Sequence, residues 1–338
     1  MRFNALLRTV CAPILLAAVA SAAVRNTPPA GAKVVRRGTT TSGEYSTVAA
    51  AVAALPNDSS AQTIFVYGGT YPEQVYITRK GKLSILGQTS DTNSYSANTV
   101  TITASIPASQ AGSNDASGTL RIHTDDFSLY NVNVVNGYGQ GGQAIALSSY
   151  GSRSGFYACQ FKGYQDTLLD NDGTHVYFKS YIEGATDFIF GRRGRAYFGG
   201  NTLAIAGAGY ITAHGRESND NSVYIFNKNK VVLKSGVSSS TNFYLGRPWA
   251  AYAKVIFLNT EIAANINTAL WKDWNTGDPR TSNVLFADYN TFGSGISGRT
   301  ISRPSFATLL SASQANTYTI AAAVGSDYTS WVDSSYVV

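Results

Sequence analysis

Gln143, Asp166 and Asp187 follow one another along the chain at intervals of 23 and 21, and Gln165 stands beside Asp166, at an interval of 22 from Gln143. Two acids and two amides at a nearly constant interval become chemically interesting if that interval is one turn of a repeating structure. Successive turns would then stack them roughly 4.8 Å apart. Carboxylates that close cannot both ionise without cost, so their pKa values split. One stays protonated as an acid while the other attacks, and neighbouring amides can hold a developing oxyanion. Such a set serves a retaining glycosidase as readily as an esterase. A ladder of side chains that merely satisfies turn backbones is the alternative.

The elements that would have to position these residues are short strands. An aromatic or apolar pair, a small or polar residue and another apolar residue recur, as in Leu129-Tyr130-Asn131-Val132, Phe156-Tyr157-Ala158-Cys159 and Tyr177-Phe178-Lys179-Ser180. The second members stand at 130, 157, 178, 198, 226, 257 and 286, which gives successive intervals of 27, 21, 20, 28, 31 and 29. A strand-only repeat of this size predicts an all-β chain wound as a right-handed parallel β-helix; a β-sandwich is the competing architecture. One short helix is expected near the start. Ser46 can cap it, Val48, Val52 and Leu55 fall at helical spacing, and Pro56 stops it, so it could plug one end of the solenoid core. The stretch from Thr89 to Ser117 is polar and weakly patterned, and predicts loops.

Residues 1–23 read as a cleaved secretory signal: Arg2 and Arg8 precede the apolar run Val10 to Ala20, and Ala20-Ser21-Ala22 supplies the small residues for cleavage. The run is too short for a bilayer, which needs about 20 residues, so a secreted, extracellular protein with no membrane span is expected. Residues 24–338 then form one domain. Cys11 falls in the signal, leaving Cys159 as the only mature cysteine and a buried small hydrophobe in prospect. The formal charge of +6 becomes +4 without Arg2 and Arg8, compatible with an anionic partner. No nucleic-acid-binding motif is visible. His123, His175 and His214 lack metal-ligand spacing and read as solvated or core side chains. Asn57-Asp58-Ser59 is a glycosylation sequon.

Five segments narrow the chemistry. Gly69-Thr70-Tyr71-Pro72-Glu73, Gly142 to Leu147 around Gln143, Gly163-Tyr164-Gln165-Asp166-Thr167-Leu168, Ile182 to Gly191 and Leu245-Gly246-Arg247-Pro248-Trp249 occur in this order. Together they resemble the pectin methylesterase family, most closely its fungal members, over roughly residues 32 to 338. The resemblance implies a right-handed parallel β-helix acting on pectin, with no metal or organic cofactor. It makes Asp187 the nucleophile, Asp166 the acid and base, Gln143 and Gln165 the oxyanion donors, and Arg247 the partner that orients Asp187. Trp249 would stack on a sugar, with Phe190 and Trp271 lining the groove; strand alternation could instead turn Phe190 inward. A monomer is expected. Arg192, Arg193 and Arg195 depart from the family's pattern, and the sequence suggests a basic cluster near the groove. A pectate lyase would need a calcium-binding acid cluster and a polygalacturonase its N-T-D and G-H-G elements; neither set is visible. A non-catalytic carbohydrate-binding β-helix is the remaining alternative.

Overall fold

The computed structural model describes residues 23–338; the expected signal segment, with Cys11, lies outside the described residues except for Ala23. Three parallel sheets of twelve, eight and seven strands wind together as a β-helix. Through the central coils each coil gives one strand to each sheet, so strands three apart pair; at the two ends consecutive strands pair within the twelve-stranded sheet, as Lys33–Val35 does with Glu44–Tyr45. In the seven-stranded sheet Leu147 pairs with Leu168 and Leu168 with Ile189, so two successive coils are of equal length.

The register corrects one part of the sequence repeat. Phe198 pairs with Tyr177 rather than with Phe178, so this coil begins one position earlier than the repeat of aromatic pairs suggests. In the last coil the offset is two residues, with Phe257 paired to Asp288 and Phe286 to Val255, so both rings stay on the inner face. A slip of one residue exchanges the two faces of a strand, so the repeated aromatic pair contributes to two different surfaces. Phe156, Tyr177, Phe198, Phe226 and Phe257 stack inside the helix at centroid spacings of 4.8, 4.6, 4.3 and 4.2 Å. Tyr157, Phe178 and Tyr197 point outward and are covered by the C-terminal segment, including the helix Ile320–Val324.

The turns also show the regularity of the coil. Asn131, Ala158, Lys179, Lys228, Asn259 and Asn290 each adopt a left-handed backbone at the same corner. At an adjacent corner Asp166 and Asp187 do so, with φ of 62° and 51°. Asp tolerates this region better than most residues.

The short helix near the start spans Val48–Ala53, and its cap is Thr47, not Ser46: the Thr47 hydroxyl accepts from Ala50 N at 3.1 Å. Thr47 has the extended backbone an N-cap requires. Both Glu73 carboxylate oxygens accept from the helix's first amides, Val48 N at 2.8 Å and Ala49 N at 2.9 Å. The glutamate of the Gly69 to Glu73 segment therefore anchors the plug, and buried Val48 and Ala51 join the main core. Cys159 is fully buried, and desolvation pushes its thiol up to about 12. His175 and His214 are fully buried; burial drops His214 to about 3. His123 is partly buried beside Asp115, 2.9 Å away.

Candidate active site

The corner between the eight- and seven-stranded sheets carries the acids. Parallel bridges join Gln143 to Gln165 and Gln165 to Thr186, so Asp166 and Asp187 occupy equivalent positions on successive coils. Gln143 and Gln165 are in register at an offset of 22, whereas Leu147 and Leu168 are at 21. The extra residue is absorbed where Ala146 N and Leu147 N both donate to Thr167 O. Both amides thereby come to the rim of the same cleft as the acids.

That cleft encloses about 250 Å³ and is lined by Gln143, Gln165, Asp166, Asp187, Arg247, Phe190 and Trp249, together with Asn114, Ala213 and Trp274. Arg247 Nε donates to Asp187 Oδ1 at 2.9 Å and Nη2 to Oδ2 at 2.7 Å. Its guanidinium lies between the rings of Tyr210 and Trp274, 4.2 and 4.1 Å from their centroids. A planar fork held on both faces fixes the carboxylate in one orientation.

Both aspartates are buried, and their environments separate them. Burial, aided by the Asp187 charge, holds the Asp166 carboxyl well above the ordinary carboxylate range, with Arg247 opposing. Burial also raises Asp187, but its two hydrogen bonds from Arg247 work against that rise. Both carboxyls are raised, and the Arg247 hydrogen bonds on Asp187 favour placing a shared proton on Asp166. The side-chain amides of Gln143 and Gln165 make no hydrogen bond to protein among the described residues, which leaves their N–H groups available to an oxygen in the cleft.

Phe190 follows Ile189, which points into the core, so alternation turns the Phe190 ring outward into the cleft. It packs against Trp249 at 6.0 Å. Trp249 lies over Gly215, where an added Cβ would come 2.5 Å from its Cε3.

Trp271 does not line the groove. It bridges to Gly246, whose row faces inward, is 1% exposed, and stacks on Phe286 at 4.5 Å within the core. Trp274, three residues later, takes the groove position. The expected basic cluster also divides. Arg195 Nε donates to Ala323 O at 2.9 Å, tying down the C-terminal helix, and Arg193 pairs with Asp172 at 2.8 Å. Only Arg192 reaches the cleft edge, over the Trp249 ring.

The sequence does not single out Asn114, Ala213, Tyr210 or Trp274. Ala213 pairs with Arg247 and Phe190 across the sheet, so the register of the Arg247 strand would have identified it. Asn114 opens the short helix Asn114–Ser117, capped by Ser113, within the segment expected to be loop. Asp115 next to it accepts from Arg121, His123 and Ser148, pinning that helix onto the sheet.

A family model described as Pectinesterase matches residues 34–327. The pectinesterase of Aspergillus niger is 43% identical, covering 98% of this chain and all of its own length. That of Aspergillus aculeatus is 44% identical with the same coverage. The crystal structure of the deglycosylated Aspergillus niger pectin methylesterase superposes with a TM-score of 0.85 at 39% identity, covering 93% of this chain and all of that one. The carrot pectin methylesterase gives 0.80 at 27% identity, with 91% and 97% covered. Family model and relatives agree, and the chain belongs to the pectinesterase family of carboxylic ester hydrolases.

Proposed function

We propose that the chain demethylates pectin through an acyl-enzyme on Asp187. The observation that carries this reading is the Arg247 fork on Asp187, one coil from Asp166, whose carboxyl is held above the ordinary range by burial, and beside two amides free to donate. Asp187 attacks the C6 carbonyl of a methyl-esterified galacturonate. The carbonyl electrons move to oxygen, where Gln143 and Gln165 donate hydrogen bonds. The tetrahedral intermediate collapses, the C–O bond to the methoxy group breaks, and Asp166 delivers its proton so that methanol leaves. Asp166, now a carboxylate, takes a proton from the water that attacks the acyl group. The bond between C6 and the Asp187 oxygen then breaks, the galacturonic acid leaves and gives its proton to solvent, and ionised Asp187 and protonated Asp166 are restored. Phe190, Trp249 and Trp274 supply the apolar walls against which a sugar ring rests.

Because the substrate is a cell-wall polysaccharide, the same reading has the enzyme act outside the cell after removal of residues 1–23; a monomer of one domain is proposed with it. N-terminal sequencing of the secreted protein tests the cleavage, and sedimentation tests the monomer. Methanol release from highly methylated pectin, without chain shortening or unsaturated product, tests the reaction. A lyase or a polygalacturonase would instead shorten the chain, and a binding protein would do neither. Loss of methanol release in Asp187→Asn, with pectin binding retained, tests the nucleophile.

A further inference from the structure

Arg192 stands one side chain away from the cleft. It is two residues beyond Phe190, and strand pairing aligns it with Gly215 and then with Trp249, since Gly191 pairs with His214 and His214 with Pro248. Gly215 has no side chain to separate its neighbours. The Arg192 guanidinium therefore crosses it and rests on the Trp249 ring, 4.0 Å from the centroid. Its only ion-pair partner among the described residues is Glu217, whose side chain is 68% exposed against 38% for Arg192. An exposed pair of this kind contributes little and is easily exchanged. A guanidinium on a cleft-lining indole, held by a displaceable carboxylate through one nitrogen, is suited to receive another carboxylate on its planar fork.

The reaction makes such a group. Each turnover converts a neutral ester into an anion on the polymer that lies along the cleft. We propose that Arg192 is the specificity-determining residue that binds the free carboxylate of an already demethylated galacturonate near the reacting ester, exchanging Glu217 for it. The stacking on Trp249 keeps the guanidinium in place during the exchange. Arg195 takes no part, because the Ala323 carbonyl holds it, and Arg193, paired with Asp172, stacks on no cleft-lining ring among the described residues. The consequence is a preference for esters that neighbour a carboxylate, hence consecutive rather than scattered removal. The inference rests on Asp187 as the reaction centre.

The test compares kcat/KM on fully methylated hexagalacturonate with that on a hexamer series carrying one free carboxylate at each position in turn. The parent enzyme should favour at least one singly demethylated isomer, and the preference should shrink with added salt. Arg192→Gln should reduce that preference ratio by about threefold or more, and Arg192→Lys should keep part of it. Glu217→Gln, an exposed change that removes the competing carboxylate, should raise the ratio. No preference in the parent, or an unchanged ratio in Arg192→Gln, overturns the proposal. Parental methanol release by Asp187→Asn would instead overturn the reaction centre and leave the ratio measurement standing on its own.

Discussion

Arg247 meets Asp187 edge to edge, with Nε on one carboxylate oxygen and Nη2 on the other, while Tyr210 and Trp274 hold the guanidinium between their rings. The carboxylate that must attack a carbonyl thus has no rotational freedom left. Lysine offers a point charge in place of a planar fork. Arg247→Lys should therefore preserve the charge and lose the orientation, lowering kcat by roughly a hundredfold while changing KM little. Steady-state methanol release decides this; near-parental kcat would mean that charge alone suffices.

Asp187→Asn replaces the nucleophile with a near-isostere that cannot form the acyl-enzyme at a useful rate. Turnover should vanish while the variant is still retained on pectin. Activity within about tenfold of the parent, far less than the loss expected for a missing nucleophile, would remove Asp187 from that role.

Asp166 gives a prediction in which activity and stability move in opposite directions. Activity needs Asp187 ionised and Asp166 protonated, so the rate should rise with pH through the Asp187 ionisation and fall through that of Asp166. Asp166→Asn should lose roughly 10²–10⁴-fold in kcat. The folded pKa of Asp166 lies above its unfolded value. Its contribution to stability is thus complete below the unfolded pKa and is lost as pH rises through the folded one. The asparagine variant escapes that loss. Its Tm should exceed the parent's at neutral pH, and the gain should disappear near pH 4; equal gains at both would contradict the sign.

Much of this was legible in the sequence because a β-helix repeats its chemistry once per coil. The intervals separating Gln143, Gln165, Asp166 and Asp187 survive as bridges between stacked corners. Register was harder to read. Tyr177 and Phe178 are both aromatic, so nothing local says which of them continues to Phe198, and the faces exchange with that choice. Trp271 and Trp274 pose the same problem in a connection outside the named strands, where alternation gives no guidance. Asn114 was hidden because its helix is held by Asp115 contacts to Arg121 and Ser148, which are tertiary and leave no pattern in the chain.

The two tryptophans can be separated experimentally. Trp271 is core, so Trp271→Ala should cost about 3–5 kcal/mol of stability. Trp274 is partly exposed and touches Arg247. Trp274→Ala should leave the melting temperature close to the parent's and lower kcat through a looser Arg247. Thermal melts and methanol release on both variants suffice; the reverse pattern would return Trp271 to the groove.

Gly215 offers the last test, because its importance lies in an absent atom. An alanine Cβ there would stand 2.5 Å from Trp249 Cε3. An indole is rigid, so the ring must move off its seat and away from Arg192. If Trp249 supports a sugar, Gly215→Ala should raise KM for pectin roughly tenfold, the scale of a small misplacement, with a smaller change in kcat. The variant alone cannot distinguish a displaced ring from a general distortion of the strand Gly209–His214, which Gly215 directly follows. A double-mutant cycle can. Once Trp249→Ala has removed the indole, Gly215→Ala has nothing to displace and should add no further loss in kcat/KM. Additive losses would show that the glycine acts on the sheet, and that the seat of Trp249 is incidental to binding.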